Sequence, residues 1–196
     1  MTSVINLEEP QKWFVNELLN FQATAANATG GLVAVRALFE QAAIRWNDPA
    51  PQTDVERIDT SYKGAFGQTW VRIYRPSDAV GPLPVVVNFH GGGWIFGSPA
   101  TVDAYALELA RGSGWAVASI DYCLAPEHRF PIPLNHCIEA VQWIAGAGVG
   151  LGFDPNTIAL AGDSAGANLA LATAVELCST IPLSSVMLIC GALTPD

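Results

Sequence analysis

Gly162-Asp163-Ser164-Ala165-Gly166 stands between an apolar run, Thr157-Ile158-Ala159-Leu160-Ala161, and a helical run from Asn168 to Leu177. The first run reads as a buried strand and the second as a helix, so the five residues mark a strand–turn–helix junction. In that setting Gly-x-Ser-x-Gly lifts a serine hydroxyl onto a sharp turn, the arrangement of a nucleophile elbow. Ser164 is therefore the candidate nucleophile. The helix start adds free N–H groups and a positive dipole end, which favour negative charge developing nearby. Ala165, Ala167, Ala170 and Ala172 are small enough to let that helix press against a sheet. A serine nucleophile at an elbow takes its partners in the order Ser, Asp or Glu, His. No histidine follows Ser164 in the 196 residues.

Upstream, His90-Gly91-Gly92-Gly93-Trp94 directly follows the apolar run Val85-Val86-Val87-Asn88-Phe89. Attack on an ester builds negative charge on the carbonyl oxygen. Backbone N–H groups stabilise it, and glycine lets the main chain come close enough to offer them. Asp121-Tyr122-Cys123-Leu124-Ala125-Pro126-Glu127-His128-Arg129-Phe130-Pro131 closes another apolar run, Ala116 to Ile120. Asp121, Glu127 and His128 there read as structural: charged groups and two prolines pin a loop beneath the site through hydrogen bonds. His136 lies in a predicted helix marked by Leu134, Ile138, Val141 and Ile144 and reads as a surface or packing residue.

The rest of the chain supports an alternating pattern. Residues 1 to about 47 read as two helices, one carrying Trp13, Phe14, Leu18 and Phe21, the other Leu32, Val35, Phe39, Ala42 and Trp46, with Gly30-Gly31 between them. Asn47-Asp48-Pro49-Ala50-Pro51 reads as a linker. Val55, Ile58, Trp70, Val71, Ile73 and Tyr74 then fall at a period of two around Lys63-Gly64-Ala65-Phe66-Gly67, predicting a hairpin. A helix is predicted from Thr101 to Arg111, ending at Gly112 and Gly114, and a last strand from Ser185 to Cys190. Apolar strands alternating with helices predict a mostly parallel sheet with helices on both faces and a site at one edge.

Composition narrows the function classes. With 51% hydrophobic and 14% charged residues, the chain buries an ordinary core. A formal net charge of -9 argues against nucleic acid and anionic membrane surfaces as partners. Cys123, Cys137, Cys178 and Cys190 form no Cys-x-x-Cys pair, sit in apolar stretches and read as buried free thiols. Met1 to Phe14 carries Glu8 and Glu9 and lacks the pattern of a signal peptide. No stretch reaches the ~18 apolar residues of a membrane span. These features lead to an expected cytoplasmic location.

The His90–Trp94 block, the Asp121-Tyr122-x-Leu-Ala-Pro-Glu127 block and Gly162–Gly166 together resemble the hormone-sensitive lipase family of α/β-hydrolases, over about residues 50 to 196. The resemblance implies an α/β-hydrolase-type sheet with residues 1–47 as an N-terminal helical cap segment and residues 48–196 as the core. It implies a carboxylesterase for small-molecule, short-chain esters that needs neither metal nor cofactor. It implies Ser164 as nucleophile, Gly92, Gly93 and Ala165 as oxyanion donors, and His90, Gly91, Asp163, Asp121 and Glu127 in support. His90 would brace the glycine loop and would not be the base. Family members carry the acid and base after later strands, which leads to a core incomplete at its C-terminus and sets Asp196 aside as the acid. The apolar strand Val186 to Ile189 would then lie at the sheet edge and favour a homo-oligomer or a complementary C-terminal chain. The other readings are a non-catalytic small-molecule-binding protein on the same scaffold, or an inactive fragment.

Overall fold

In a computed structural model of the chain, residues 9–46 and 54–193 are described. The expected linker, the boundary at 47/48, Glu8 and Asp196 lie outside them, as do the side chains of Trp13, Phe14, Leu18 and Trp46. Two helices open the chain, α1 (Glu9–Ala26) and α2 (Gly31–Trp46). Gly30 and Gly31 separate them at φ +113° and +63°, a backbone region that side chains with a Cβ enter at a cost. The hairpin follows as β1 (Val55–Gly64) and β2 (Gly67–Pro76), with Gly64 opposite Gly67 across a two-residue turn.

The core alternates β3 (Leu83–Phe89), α3 (Asp103–Ser113), β4 (Ala116–Ile120), α4 (Ile132–Ala147), β5 (Phe153–Asp163), α5 (Ala165–Leu177) and β6 (Leu183–Ile189). The six strands lie in the order β1-β2-β4-β3-β5-β6. Pairing is antiparallel from β1 through β2 to β4 and parallel for the rest. Strand alternation sorts side chains between two layers. Val86, Val117, Ala159 and Ala161 meet Ala106, Leu107 and Ala110 of α3 on one face. Val85, Val87, Phe89, Ile158 and Leu160 meet residues of α4 and α5 on the other. That is why β3, β4 and β5 read as unbroken apolar runs. Gly114 ends α3 at φ +72°, its N–H returning to Ala110 O at 3.0 Å.

Two expectations change in detail. The helix predicted from Thr101 splits into a 3-10 turn, Pro99–Val102, and α3, because Ser98 caps the turn and Pro99 opens it. Of the four cysteines only Cys137 is buried; Cys123 is half-buried, and Cys178 and Cys190 are exposed. Cys178 follows α5 and Cys190 follows β6, a strand whose residues are mostly exposed where those of β4 are all buried. No helix among the described residues is long and apolar enough to cross a membrane.

Candidate active site

Ser164 ends β5 and begins α5 with φ +52° and ψ −117°, in the left-handed region that non-glycine residues rarely occupy. The turn is sharp because both flanking glycines are squeezed. A Cβ on Gly162 would overlap the Gly166 carbonyl, and one on Gly166 would overlap the Phe89 carbonyl oxygen. The strained residue is held on both sides: its N–H donates to Ile189 O at 2.8 Å, and its carbonyl accepts from Asn168 and Ala192 at 3.3 Å each. The residue is exposed although its neighbours Ala165 and Gly166 are buried. Ala165, Ala167 and Ala170 turn into the core, whereas Ala172 lines a cavity.

The glycine loop leaves β3 against this turn. Gly91 N–H donates to Asp163 Oδ1 at 2.8 Å, which ties the loop to the residue before Ser164. A Cβ on Gly91 would strike the same carboxylate. Burial raises the Asp163 carboxyl above its usual range, while the Gly91 N–H favours the ionised form. Gly92, Gly93 and Trp94 follow at φ +122°, +62° and +61°. Gly92 O accepts from Ile95 at 3.1 Å and from Phe96 at 2.9 Å, and a Cβ on Gly92 would overlap Phe96 O. Among the described residues, no intramolecular hydrogen bond takes up the N–H of Gly92, Gly93 or Ala165. Those three donors remain available to an oxyanion.

His90 is fully buried. Its Nδ1 donates to Gly91 O at 2.8 Å, its ring stacks on Tyr122 at 4.4 Å, and Tyr122 OH donates to His90 O at 2.7 Å. Burial holds the imidazole neutral and pulls its pKa down to about 4. His136 is buried on α4, within 2.6 Å of Thr69 Oγ1 through Nε2, and its Nδ1 accepts from Cys123 N at 3.1 Å. No hydrogen bond joins Ser164 Oγ to His90, His128 or His136 among the described residues.

Of the loop's acidic groups, Asp121 makes no pinning side-chain hydrogen bond among the described residues, and Glu127 makes its own to a residue outside the loop. Glu127 accepts from Arg36 of α2 at 2.9 and 2.7 Å, and the same guanidinium reaches Ala125 O of the loop at 2.7 Å. The Asp121 carboxylate accepts no hydrogen bond among the described residues. Burial, then the nearby charge of Glu40, pushes its pKa up to about 6. The residue that sequence reasoning missed is Arg36. Its partners lie far along the chain, and the single hint was a cation beside the apolar stripe of α2. Next to the loop is an apolar cavity of about 370 Å³, lined by Trp94, Ala125, Phe130, Leu134, Asn168 and Leu169 among others. Asn168 is one helical turn beyond Ser164, so one wall of this cavity is formed by the helix that begins at the candidate nucleophile.

Residues 86–196 match the family model for the alpha/beta hydrolase fold. The chain belongs to that family. Within the alpha/beta hydrolases it resembles carboxylesterase NlhH of Mycobacterium tuberculosis, 41% identical over 119 residues, or 61% of this chain and 37% of that protein. It also resembles the FAD-linked oxidoreductase pytB of Aspergillus terreus, 39% identical over 133 residues, or 68% of this chain but 15% of that protein. Among solved structures, an ester hydrolase from the Lake Arreo metagenome, complexed with a bipyridine phosphonate derivative, superposes with a TM-score of 0.82 at 30% identity. That alignment covers 95% of this chain and 61% of the neighbour. The chain therefore spans 37% of the carboxylesterase and 61% of the ester hydrolase, less than two thirds of either.

Proposed function

We propose that the chain acts in the hydrolysis of small, short-chain carboxylic esters. Ser164 is the nucleophile, and Gly92, Gly93 and Ala165 are the donors to the tetrahedral oxyanion. The observation that carries this is Ser164 itself: exposed, at φ +52°, on the first turn of α5. Attack of Ser164 Oγ on the ester carbonyl expels the alcohol and leaves an acyl-enzyme, which water then cleaves. The apolar cavity beside Asn168 suits the non-polar part of such a substrate. The carboxylesterase and ester hydrolase relatives support the same reaction class. Proton removal from Ser164 falls to water or to a group outside the described residues, because His90 and His136 are engaged elsewhere and no hydrogen bond joins His128 to Ser164 among the described residues. Residues 1–47 serve as a cap segment over the core at 48–196 in this reading. A homo-oligomer or a complementary C-terminal chain covers the exposed edge at β6, and the free cysteines support a cytoplasmic setting.

Covalent labelling tests the proposal. A fluorophosphonate should form one adduct, located by peptide mass spectrometry on Ser164 and absent from Ser164→Ala. The chain should also turn over p-nitrophenyl acetate slowly, because serine hydrolases lacking triad members keep ~10³–10⁴-fold catalysis over water. Saturable ligand binding with no adduct would favour the binding-protein reading. Turnover near ~10 s⁻¹, ordinary for an enzyme, would show that a base is in place.

A further inference from the structure

One side of α2 grips the segment that continues the glycine loop. Arg36, Phe39 and Glu40 stand at i, i+3 and i+4, so they share a helix face. They meet Ile95, Phe96 and Ser98 in turn. Arg36 Nε donates to Ile95 O at 2.8 Å, Phe39 stacks on Phe96 with centroids 5.3 Å apart, and Ser98 Oγ donates to Glu40. The second arm of Arg36 reaches Ala125 O at 2.7 Å, and Ala125 N–H donates to Trp94 O at 2.8 Å. One guanidinium thus joins α2 to the loop and to the cavity wall formed by Trp94 and Ala125.

The consequence for chemistry passes through a single peptide plane. Gly92 O is fixed by the N–H groups of Ile95 and Phe96, the residues that α2 holds. A trans peptide is planar, so the Gly92 carbonyl and the Gly93 N–H point in opposite directions. Whatever holds Gly92 O also aims Gly93 N–H. Resting on the esterase reading above, we propose that Arg36 is a positioning residue. By holding Ile95 and Ala125 it sets the Gly92–Gly93 peptide, and hence an oxyanion donor, over Ser164. The planar fork matters here, because one group must satisfy two carbonyls and a carboxylate at once, which an ammonium on a flexible stem does poorly. The pairing with half-exposed Glu127 is an orienting contact of little energy.

The experiment is time-resolved phosphonylation of the full chain by a fluorophosphonate, with the limiting rate constant and the half-saturation concentration fitted separately. Arg36→Met should lower the limiting rate constant at least ~10-fold, given that a lost oxyanion donor costs ~10²–10³. Half-saturation should stay within about twofold, because binding draws on the cavity while the donors act on the developing charge. Arg36→Lys should fall between wild type and Arg36→Met, and millimolar methylguanidinium should restore part of the rate in Arg36→Ala. Arg75→Met is the control: Arg75 also bridges two backbone carbonyls, Gly152 O and Gly81 O. Its loss should lower thermal stability and leave the rate constant unchanged. A merely structural Arg36 would reduce the labelled fraction and not the rate constant. Should Arg36→Met fail to fold, Arg36→Lys carries the test. A wild-type rate constant in Arg36→Lys and in folded Arg36→Met would overturn the proposal. Wild-type protein that takes no adduct on Ser164 would overturn the esterase reading beneath it.

Discussion

The turn at Ser164 and the loop at His90–Trp94 are neighbours held by different means. The turn is shaped by its own glycines and held by backbone groups, with Ser164 N–H donating to Ile189 O and its carbonyl accepting from the N–H groups of Asn168 and Ala192. Gly162 and Gly166 supply clearances that only hydrogen fits, and the following helix fixes the carbonyl of Ser164 through Asn168. The loop is closed from outside, by Asp163 on Gly91, Tyr122 on His90 and α2 on Ile95 to Ser98. Damage to the turn should therefore appear as lost folding, and damage to the loop as lost chemistry in a folded protein.

The largest effect tests the turn. Gly166→Val would drive side-chain atoms onto the carbonyls of Phe89, the last residue of β3, and His90, the first of the glycine loop, and backbone there cannot yield cheaply. Loss of cooperative thermal unfolding by circular dichroism is expected. A native-like melt would mean that the clearance does not shape the turn. The next effect tests the loop. Gly92→Val should slow acylation of Ser164 ~10²–10³-fold, while Cys123→Ala changes it little. Equal rates in the two variants would reduce His90–Trp94 to a plain turn.

Two smaller effects are read by pH. The buried His90 ring has a folded pKa of about 4, below its ordinary value of 6.5. Its neutral form stabilises the fold fully above pH 6.5, and that share is lost as pH falls toward 4. His90→Gln should lessen the drop in Tm between pH 7 and pH 5, measured by calorimetry. An unchanged drop would assign the acid sensitivity elsewhere. Asp121 has the opposite sign. Its folded pKa of about 6 lies above the ordinary 3.8, so it binds a proton more readily when folded. The protein gains from it below pH 3.8 and loses that gain as pH rises through 6. Asp121→Asn should raise Tm slightly at pH 8 and leave it unchanged at pH 3.5. A lower Tm at pH 8 would reveal a partner for the carboxylate.

The strands, the hairpin and the elbow were legible because their causes are local. A two-residue turn between period-two runs gives a hairpin, and unbroken apolar runs of five residues give buried strands. Arg36 was not legible: it lies 59 residues from Ile95 and 91 from Glu127. The partner of Glu127 was not legible for the same reason, since it is on another element. The exposure of Cys178 and Cys190 was also missed, because apolar neighbours in sequence report a strand or helix and not which side of it is covered.

The sequence by itself determined the strand–turn–helix at Ser164, the glycine loop after Phe89 and the alternating core. Each follows from steric limits on φ and from apolar periodicity within a few residues. Only the tertiary structure decided which groups hold the loop, that Glu127 faces α2, that Asp121 is half-buried near the charge of Glu40, and that His90 and His136 are engaged away from Ser164. Those outcomes depend on hydrogen bonds and burial between segments far apart in the chain. Such long-range terms leave no period or motif in the residues that make them.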